Sequence, residues 1–169
     1  MNSLLILGGA RSGKSRYGQA RIESLAGPLT YIATAQAFDA EMADRIAQHQ
    51  ADRGPRWRTV EAPLDLPEAI AAAQHGAVLV DCLTLWMSNL ILAEWDYDAA
   101  GEALCAAVAD CRVPIALIAN EVGLGIVPDN ALARRFRDAA GWLNQRLAKT
   151  VDEVVFVAAG LPLFLKSGA

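Results

Sequence analysis

The stretch Leu4-Leu5-Ile6-Leu7-Gly8-Gly9-Ala10-Arg11-Ser12-Gly13-Lys14-Ser15 decides how the rest of the chain is read. Its first four residues form a continuous apolar run without alternation, the pattern of a strand buried on both faces. Gly8 to Ser15 then fits G-x-x-x-x-G-K-[ST]. A helical pattern opens at Lys14, so the motif lies between a buried strand and a helix, the context in which it holds phosphate. Gly8 and Gly13 allow backbone conformations and close approaches that a side chain would block. Successive N–H groups of Gly9, Ala10, Arg11 and Ser12 can then face phosphate oxygens at a helix N-terminus. Lys14 is placed to reach the β- and γ-phosphates, and the Ser15 hydroxyl to ligate Mg²⁺.

Outward from this loop, short apolar runs alternate with longer amphipathic ones. Strands are predicted at residues 4–7, 29–33, 57–60, 77–80, 113–119 and 154–158, with a final edge strand at 161–165. Helices are predicted at 14–25, 38–52, 65–75, 84–93, 97–110 and 130–149. Gly27-Pro28 and Arg53-Gly54-Pro55 punctuate the pattern. Asp39 is the expected N-cap of the second helix. Asp65, with Glu68 three residues later, has the form of a capping box. Parallel strands need crossover helices, which then cover both faces of the sheet. The expected fold class is α/β, a P-loop NTPase with a mostly parallel central sheet and helices on both faces.

With 169 residues the chain has room for one domain, 1–169, and not for two. Hydrophobic residues make up 54% and charged residues 20%, enough apolar burial to offset the entropy of ordering. The net charge of −4 argues against a general nucleic-acid binder, which needs a basic field. The uncharged stretch 82–93 includes Thr84, Ser88 and Asn89. It is short of the roughly 20 residues of a spanning helix, so no membrane span is expected. The run 3–7 has no basic leader and is not read as a signal peptide. Cys82, Cys105 and Cys111 are odd in number and form no C-x-x-C, which fits free thiols in a reducing cytoplasm.

Asp81 closes the apolar run 77–80. A carboxylate at the end of a buried strand is where a Walker-B-type metal partner lies, and Asp81 is equally placed to cap the helix that follows. The loop specifies a nucleotide and leaves its use open. Three further segments narrow that use: Val80-Asp81-Cys82-Leu83-Thr84-Leu85-Trp86, Asn120-Glu121-Val122-Gly123-Leu124-Gly125-Ile126-Val127-Pro128 and Leu132-Ala133-Arg134-Arg135-Phe136-Arg137-Asp138. With the phosphate loop they resemble the bifunctional adenosylcobinamide kinase / adenosylcobinamide-phosphate guanylyltransferase family of cobalamin biosynthesis. The resemblance runs from the first strand to Ala159-Gly160-Leu161-Pro162-Leu163.

The resemblance implies a RecA-like domain, a cytoplasmic homotrimer and two reactions. Adenosylcobinamide is phosphorylated by ATP or GTP. GMP then passes from GTP to that phosphate through a GMP–histidine intermediate, giving adenosylcobinamide-GDP. By position in the segment Glu41-Met42-Ala43-Asp44-Arg45-Ile46-Ala47-Gln48-His49, the histidine is His49. Read from residues alone, His49 is either a nucleophile or a structural histidine near the apolar face marked by Met42 and Ile46. A neutral imidazole is available near working pH. The resemblance also implies nucleotide contacts at Ala33, Thr34 and Ala35, at Gln50, Ala51, Asp52 and Arg53, and at Glu61, whose carboxylate would meet guanine donors or a ribose hydroxyl. Arg134, Arg135 and Arg137 either bring charge to substrate phosphates or form a solvated helix face. His75, before Gly76, is read as capping or exposed. Two alternatives remain: a P-loop small-molecule kinase without guanylyl transfer, in which His49 is structural, and a RecA-like ATPase acting on a macromolecule.

Overall fold

The computed structural model describes residues 2–36 and 54–167. The expected helix at 38–52, with its Asp39 cap, lies outside the described residues. The strands are β1 (Ser3–Gly8), β2 (Leu29–Ala33), β3 (Trp57–Glu61), β4 (Ala77–Asp81), β5 (Ile115–Asn120), β6 (Glu153–Ala158) and β7 (Leu161–Lys166). The described helices are α1 (Lys14–Glu23), α2 (Leu66–Ala71), α3 (Leu83–Leu92), α4 (Tyr97–Asp110) and α5 (Ala131–Thr150).

The strands form one sheet in the order β3-β2-β4-β5-β1-β6-β7. The first six are parallel, and β7 pairs antiparallel with β6. Residues 3–8 of β1 are all buried, as the unbroken apolar run requires. Alternate side chains of β1 serve opposite faces. Leu4 and Ile6 pack with Ile22 of α1, together with Leu79 and Ile118. Leu5 and Leu7 pack with residues of all four other helices, among them Ile70, Trp86, Leu104 and Leu143. Full burial of one such leucine contributes about 1.5–3 kcal/mol. The expectation of a mostly parallel sheet covered on both faces therefore holds.

Local differences have local causes. The capping box at Asp65 does not form, and the Asp65 side chain makes no cap hydrogen bond. The Asp65 backbone lies at φ −85° and ψ 48° rather than in the extended region from which a cap side chain reaches the N3 amide, and Pro67 at the second helical position removes the N2 donor. That helix also ends at Ala71 rather than at 75, because residues 72–76 fold back to bring Gly76 against Pro28. A Cβ on Gly76 would lie 1.8 Å from the Pro28 carbonyl oxygen. His75 is exposed, beyond the helix end. The helix expected at 130–149 runs from Ala131 to Thr150, and Asn130 caps it, its side chain accepting the Ala133 amide at 2.8 Å. Strands β6 and β7 are joined through Ala159 and Gly160, with φ of 51° and 80°. Positive φ at both turn positions matches the twist of a two-residue hairpin.

Candidate active site

The carboxyl ends of β1 to β6 share one edge of the sheet, so Glu61, Ala33, Asp81, Asn120, Gly8 and Ala158 end side by side in that order. The phosphate loop springs from β1, between β5 and β6 on this edge. Its shape is set by two close approaches. A Cβ on Gly8 would lie 2.4 Å from the Val157 carbonyl oxygen and 2.7 Å from Ser12 Oγ, so no side chain fits. Gly13 stands at the N-cap of α1 with φ 94°, where a Cβ would lie 3.2 Å from Gly160 Cα. Gly160 N–H also donates to the Ser12 carbonyl at 2.8 Å. The β6–β7 turn thus braces the loop from one side. From the other, Glu121 N–H donates to the Gly8 carbonyl at 3.0 Å.

Lys14 is folded back over the loop, its Nζ donating to the Gly9 carbonyl at 3.1 Å, and is 9% exposed. A cation held across a ring of backbone amides is placed to meet a phosphate chain seated there. Ser15 is exposed at the first turn of α1. Asp81 ends β4, two strands from β1. The N-cap of α3 is Cys82, so Asp81 is not the helix cap, and that alternative falls away. Burial pushes the Cys82 thiol pKa up and the neighbouring Asp81 charge adds to it, which leaves an inert thiol.

Among the residues expected to meet nucleotide, Gly8, Gly9, Ala10, Arg11, Ser12, Gly13, Lys14, Ser15, Ala33, Thr34, Ala35, Glu61 and Asp81 all lie at this edge. His49, Gln50, Ala51, Asp52 and Arg53 lie outside the described residues. Glu61 is exposed at the end of β3, four strands from β1, about 19 Å at normal strand spacing. Thr34 is fully buried and its polar atoms are engaged within the protein. Its hydroxyl donates to the Cys82 carbonyl at 2.7 Å and accepts the Cys82 amide at 2.9 Å. Its N–H donates to the Asp81 carbonyl at 3.4 Å. Thr34 therefore holds the Asp81–Cys82 backbone in place rather than presenting groups to solvent.

Sequence reasoning did not single out Asn89. This buried residue donates from Nδ2 to the Thr34 carbonyl at 2.8 Å and to the Pro63 carbonyl at 2.9 Å. It ties together the segments that follow β2 and β3. Trp86, one turn earlier on α3, donates from Nε1 to the Leu64 carbonyl at 2.7 Å. Thr84 Oγ1 accepts the Asn120 amide at 2.6 Å. The signal was present: an asparagine in the mostly apolar run Leu83-Thr84-Leu85-Trp86-Met87-Ser88-Asn89-Leu90-Ile91, one turn from a tryptophan.

The arginines of α5 are engaged within the chain. Arg134 donates to the Pro128 and Asp129 carbonyls at 2.9 and 2.8 Å. The Arg135 guanidinium lies 5.1 Å from the Tyr97 ring centre. Arg137 pairs with Asp138 at 2.8 Å. Arg134 thereby orders the end of the 120–130 loop, and Arg135 and Arg137 are engaged along the helix face, a use that neither of the two readings offered for them had named.

The arrangement is a nucleotide site at the carboxyl edge of a parallel sheet, where open α/β sheets hold their ligands. A solved structure from Pyrococcus horikoshii OT3 shares the fold, with a TM-score of 0.51 at 9% identity, over 98% of this chain and 86% of that one. The bifunctional adenosylcobalamin biosynthesis protein CobP of Pseudomonas aeruginosa is 48% identical over 166 residues, covering 96% of each chain. The bifunctional adenosylcobalamin biosynthesis protein CobU of Salmonella typhimurium is 44% identical over 180 residues, covering 96% of this chain and 99% of that one. The family described as cobinamide kinase / cobinamide phosphate guanyltransferase matches residues 4–165. A phosphate loop of this geometry, in a chain related at this level along nearly its whole length, leaves one conclusion: the chain belongs to the cobinamide kinase / cobinamide phosphate guanyltransferase family.

Proposed function

We propose that this chain, acting as one domain, phosphorylates adenosylcobinamide with ATP or GTP and then transfers GMP from GTP to the product, giving adenosylcobinamide-GDP and pyrophosphate. The observation that carries the reading is the phosphate loop at the sheet's carboxyl edge in a chain of this family. A kinase without guanylyl transfer is not favoured, since the relatives at 48% and 44% identity are both named bifunctional.

In the kinase step the loop amides and Lys14 hold the triphosphate and stabilise charge on the transferred phosphoryl group, so positioning and electrostatics supply the rate. Mg²⁺ would be held by the Ser15 hydroxyl, the nucleotide's phosphates and the Asp81 carboxylate. These are hard oxygen donors, the set this ion takes in phosphoryl-transfer sites. When bound, it would neutralise charge on the β- and γ-oxygens. In the transfer step His49 attacks the α-phosphorus of GTP and pyrophosphate leaves. The phosphate of adenosylcobinamide phosphate then displaces His49, which splits one transfer into two displacements. Ala33, Thr34, Ala35, Gln50, Ala51, Asp52, Arg53 and Glu61 form the guanine side of the site, with Thr34 acting through the Asp81–Cys82 backbone.

The protein works in the cytoplasm as a homotrimer in this reading. Every residue of β7 is exposed, including Leu161, Leu163, Phe164 and Leu165, and a subunit contact would cover them. No described helix is long and apolar enough to cross a membrane.

The test is incubation with GTP labelled at the α-phosphate. An acid-labile adduct is expected on the wild type and not on His49→Ala. Absence of the adduct, or its persistence in His49→Ala, refutes the covalent step. Lys14→Ala should impair both reactions, His49→Ala mainly the second.

A further inference from the structure

Beside the phosphate loop, between the first turns of α1 and the β6–β7 turn, the protein carries a cleft of about 430 Å³. Arg11, Ser12, Arg16, Tyr17, Ala20 and Gly160 line it. None of the nucleotide contacts proposed above accounts for Arg16, Tyr17 or Ala20. Its volume is within the range of small-ligand sites.

Its lining is built for an anionic aromatic ligand. Arg11 and Arg16 are exposed and make no hydrogen bond or ion pair among the described residues. Arg11 is also held at a φ of 56°, a conformation uncommon away from glycine. Tyr17 is half-buried and packed against the apolar core on the α1 face of the sheet. Its hydroxyl accepts from Arg21 Nη1 at 2.9 Å, and the Arg21 guanidinium lies 5.8 Å from the ring centre. Arg21 is fixed in turn by Glu153 at 2.9 Å. The ring is therefore placed before any ligand arrives, which lowers the entropy cost of binding on it. The Ser12 hydroxyl is buried with no partner among the described residues.

Sheet order gives the cleft its direction. Asp81 ends β4, two strands from β1 on one side, and the cleft lies on the β6 side. A triphosphate seated in the loop with its terminal phosphate toward Asp81 must leave the loop on the β6 side. Its nucleoside then meets Tyr17 and Arg16. Glu61 lies the opposite way, four strands from β1. A nucleotide whose base is read by Glu61 leaves the cleft empty.

We propose that this cleft is the nucleoside subsite of the phosphoryl donor: the base stacks on Tyr17, and Arg16 and Arg11 meet the α-phosphate and ribose. One phosphate loop thus has a nucleoside position on either side, the Tyr17 side for phosphoryl transfer and the Glu61 side for guanylyl transfer. The inference rests on the two-reaction reading above. The cleft lining includes no carboxylate or side-chain amide to read a base edge. Stacking tolerates any base, so this subsite takes either purine.

The test measures the nucleoside's own contribution. The full chain is titrated, with Mg²⁺, against a non-hydrolysable ATP analogue and against inorganic tripolyphosphate. The wild type should prefer the nucleotide. Tyr17→Leu should cut that preference about tenfold, within the range of a lost base–aromatic stack. Tyr17→Phe, which keeps the ring, should retain it, and Arg16→Ala should reduce it several-fold. In turnover, Tyr17→Leu should raise the KM for ATP in the kinase step well beyond any rise in the KM for GTP in guanylyl transfer. An unchanged preference in both Tyr17→Leu and Arg16→Ala, with thermal melts showing folded protein, overturns the subsite and leaves the kinase reading intact. An equal rise in both KM values overturns the division between the two sides. Nucleotide binding that ignores Lys14→Ala refutes the loop reading on which the inference stands.

Discussion

Asn89 offers the most direct test of how the site is held. In Asn89→Ala the carbonyls of Thr34 and Pro63 both lose the donor that now reaches them at 2.8 and 2.9 Å. The Thr34 residue is fully buried, so water cannot replace that donor without opening the loop. A buried acceptor left unpaired costs about 1–3 kcal/mol, and two of them about 2–6. Pro63 is only half-buried, which brings the expectation to about 2–4 kcal/mol. For a domain of this size each kcal/mol lowers Tm by about 2–4 °C, so calorimetry should show a fall of about 5–15 °C. Asn89→Asp keeps the volume but sets a carboxylate against two carbonyl oxygens. Burial and those oxygens raise its folded pKa above the unfolded value. The penalty is then present at neutral pH and relieved as pH falls through the raised pKa, leaving a neutral acid that can donate to one of the two carbonyls. Tm of Asn89→Asp should therefore sit below that of Asn89→Ala at pH 7 and rise toward it on acidification. A change under about 2 °C in Asn89→Ala, less than 1 kcal/mol for this domain, would refute the reasoning. So would an Asn89→Asp melt that tracks the wild type at every pH.

Two further outcomes follow from single contacts. Gly13→Ala forces a side chain into a φ of 94° and to 3.2 Å from Gly160 Cα. The strain is about 1–2 kcal/mol, and a several-fold loss of triphosphate affinity by titration should accompany a small fall in Tm. Asp152 accepts the Ser3 amide, the Ser3 hydroxyl and the Asn2 amide, and the first two chiefly hold its pKa below the ordinary 3.8. A lowered folded pKa contributes stability above the unfolded value and loses it as pH falls through the folded one. Asp152→Asn should therefore lower Tm modestly at pH 7, and the difference from wild type should vanish in strong acid; a gap that persists there would refute the assignment.

The sheet was legible because its strands are buried on both faces. Runs such as Leu4-Leu5-Ile6-Leu7 and Ala77-Val78-Leu79-Val80 carry no alternation, and only a covered parallel sheet accounts for several of them in one chain. The phosphate loop was legible because backbone chemistry at Gly8 and Gly13 restricts the residue type. What stayed hidden depends on contacts distant in sequence. Thr34 matched a nucleotide-contact position, yet its hydroxyl is committed to Cys82, 48 residues away. Arg134 and Arg135 matched in kind what a phosphate site needs, yet loop carbonyls and Tyr97 hold them. The Asp65–Glu68 pattern predicted a cap that does not form, because the Asp65 backbone does not take the extended conformation a capping residue needs.

The placing of buried polar groups carries the argument one step further. The described residues with buried polar side chains are Ser3, Ser12, Lys14, Thr34, Thr84, Asn89 and Asn144. Five of these, Ser12 to Asn89, stand at the carboxyl edge of the sheet. Burying a polar group costs free energy unless a partner is supplied, and an apolar core of this size has no need of them for cohesion. Thr34, Thr84 and Asn89 each find their partners in backbone at or just past the end of a strand: Cys82, Asn120, and Thr34 with Pro63. Their common effect is to fix the loops after β2, β3, β4 and β5 relative to one another, without a side chain entering the site. Ser12 is the exception, buried at the phosphate loop with its hydroxyl unpartnered among the described residues. The edge is thus rigid where it holds loops in register, and it keeps spare hydrogen-bonding capacity where a phosphate chain would lie, which is the division of labour a site built on positioning requires.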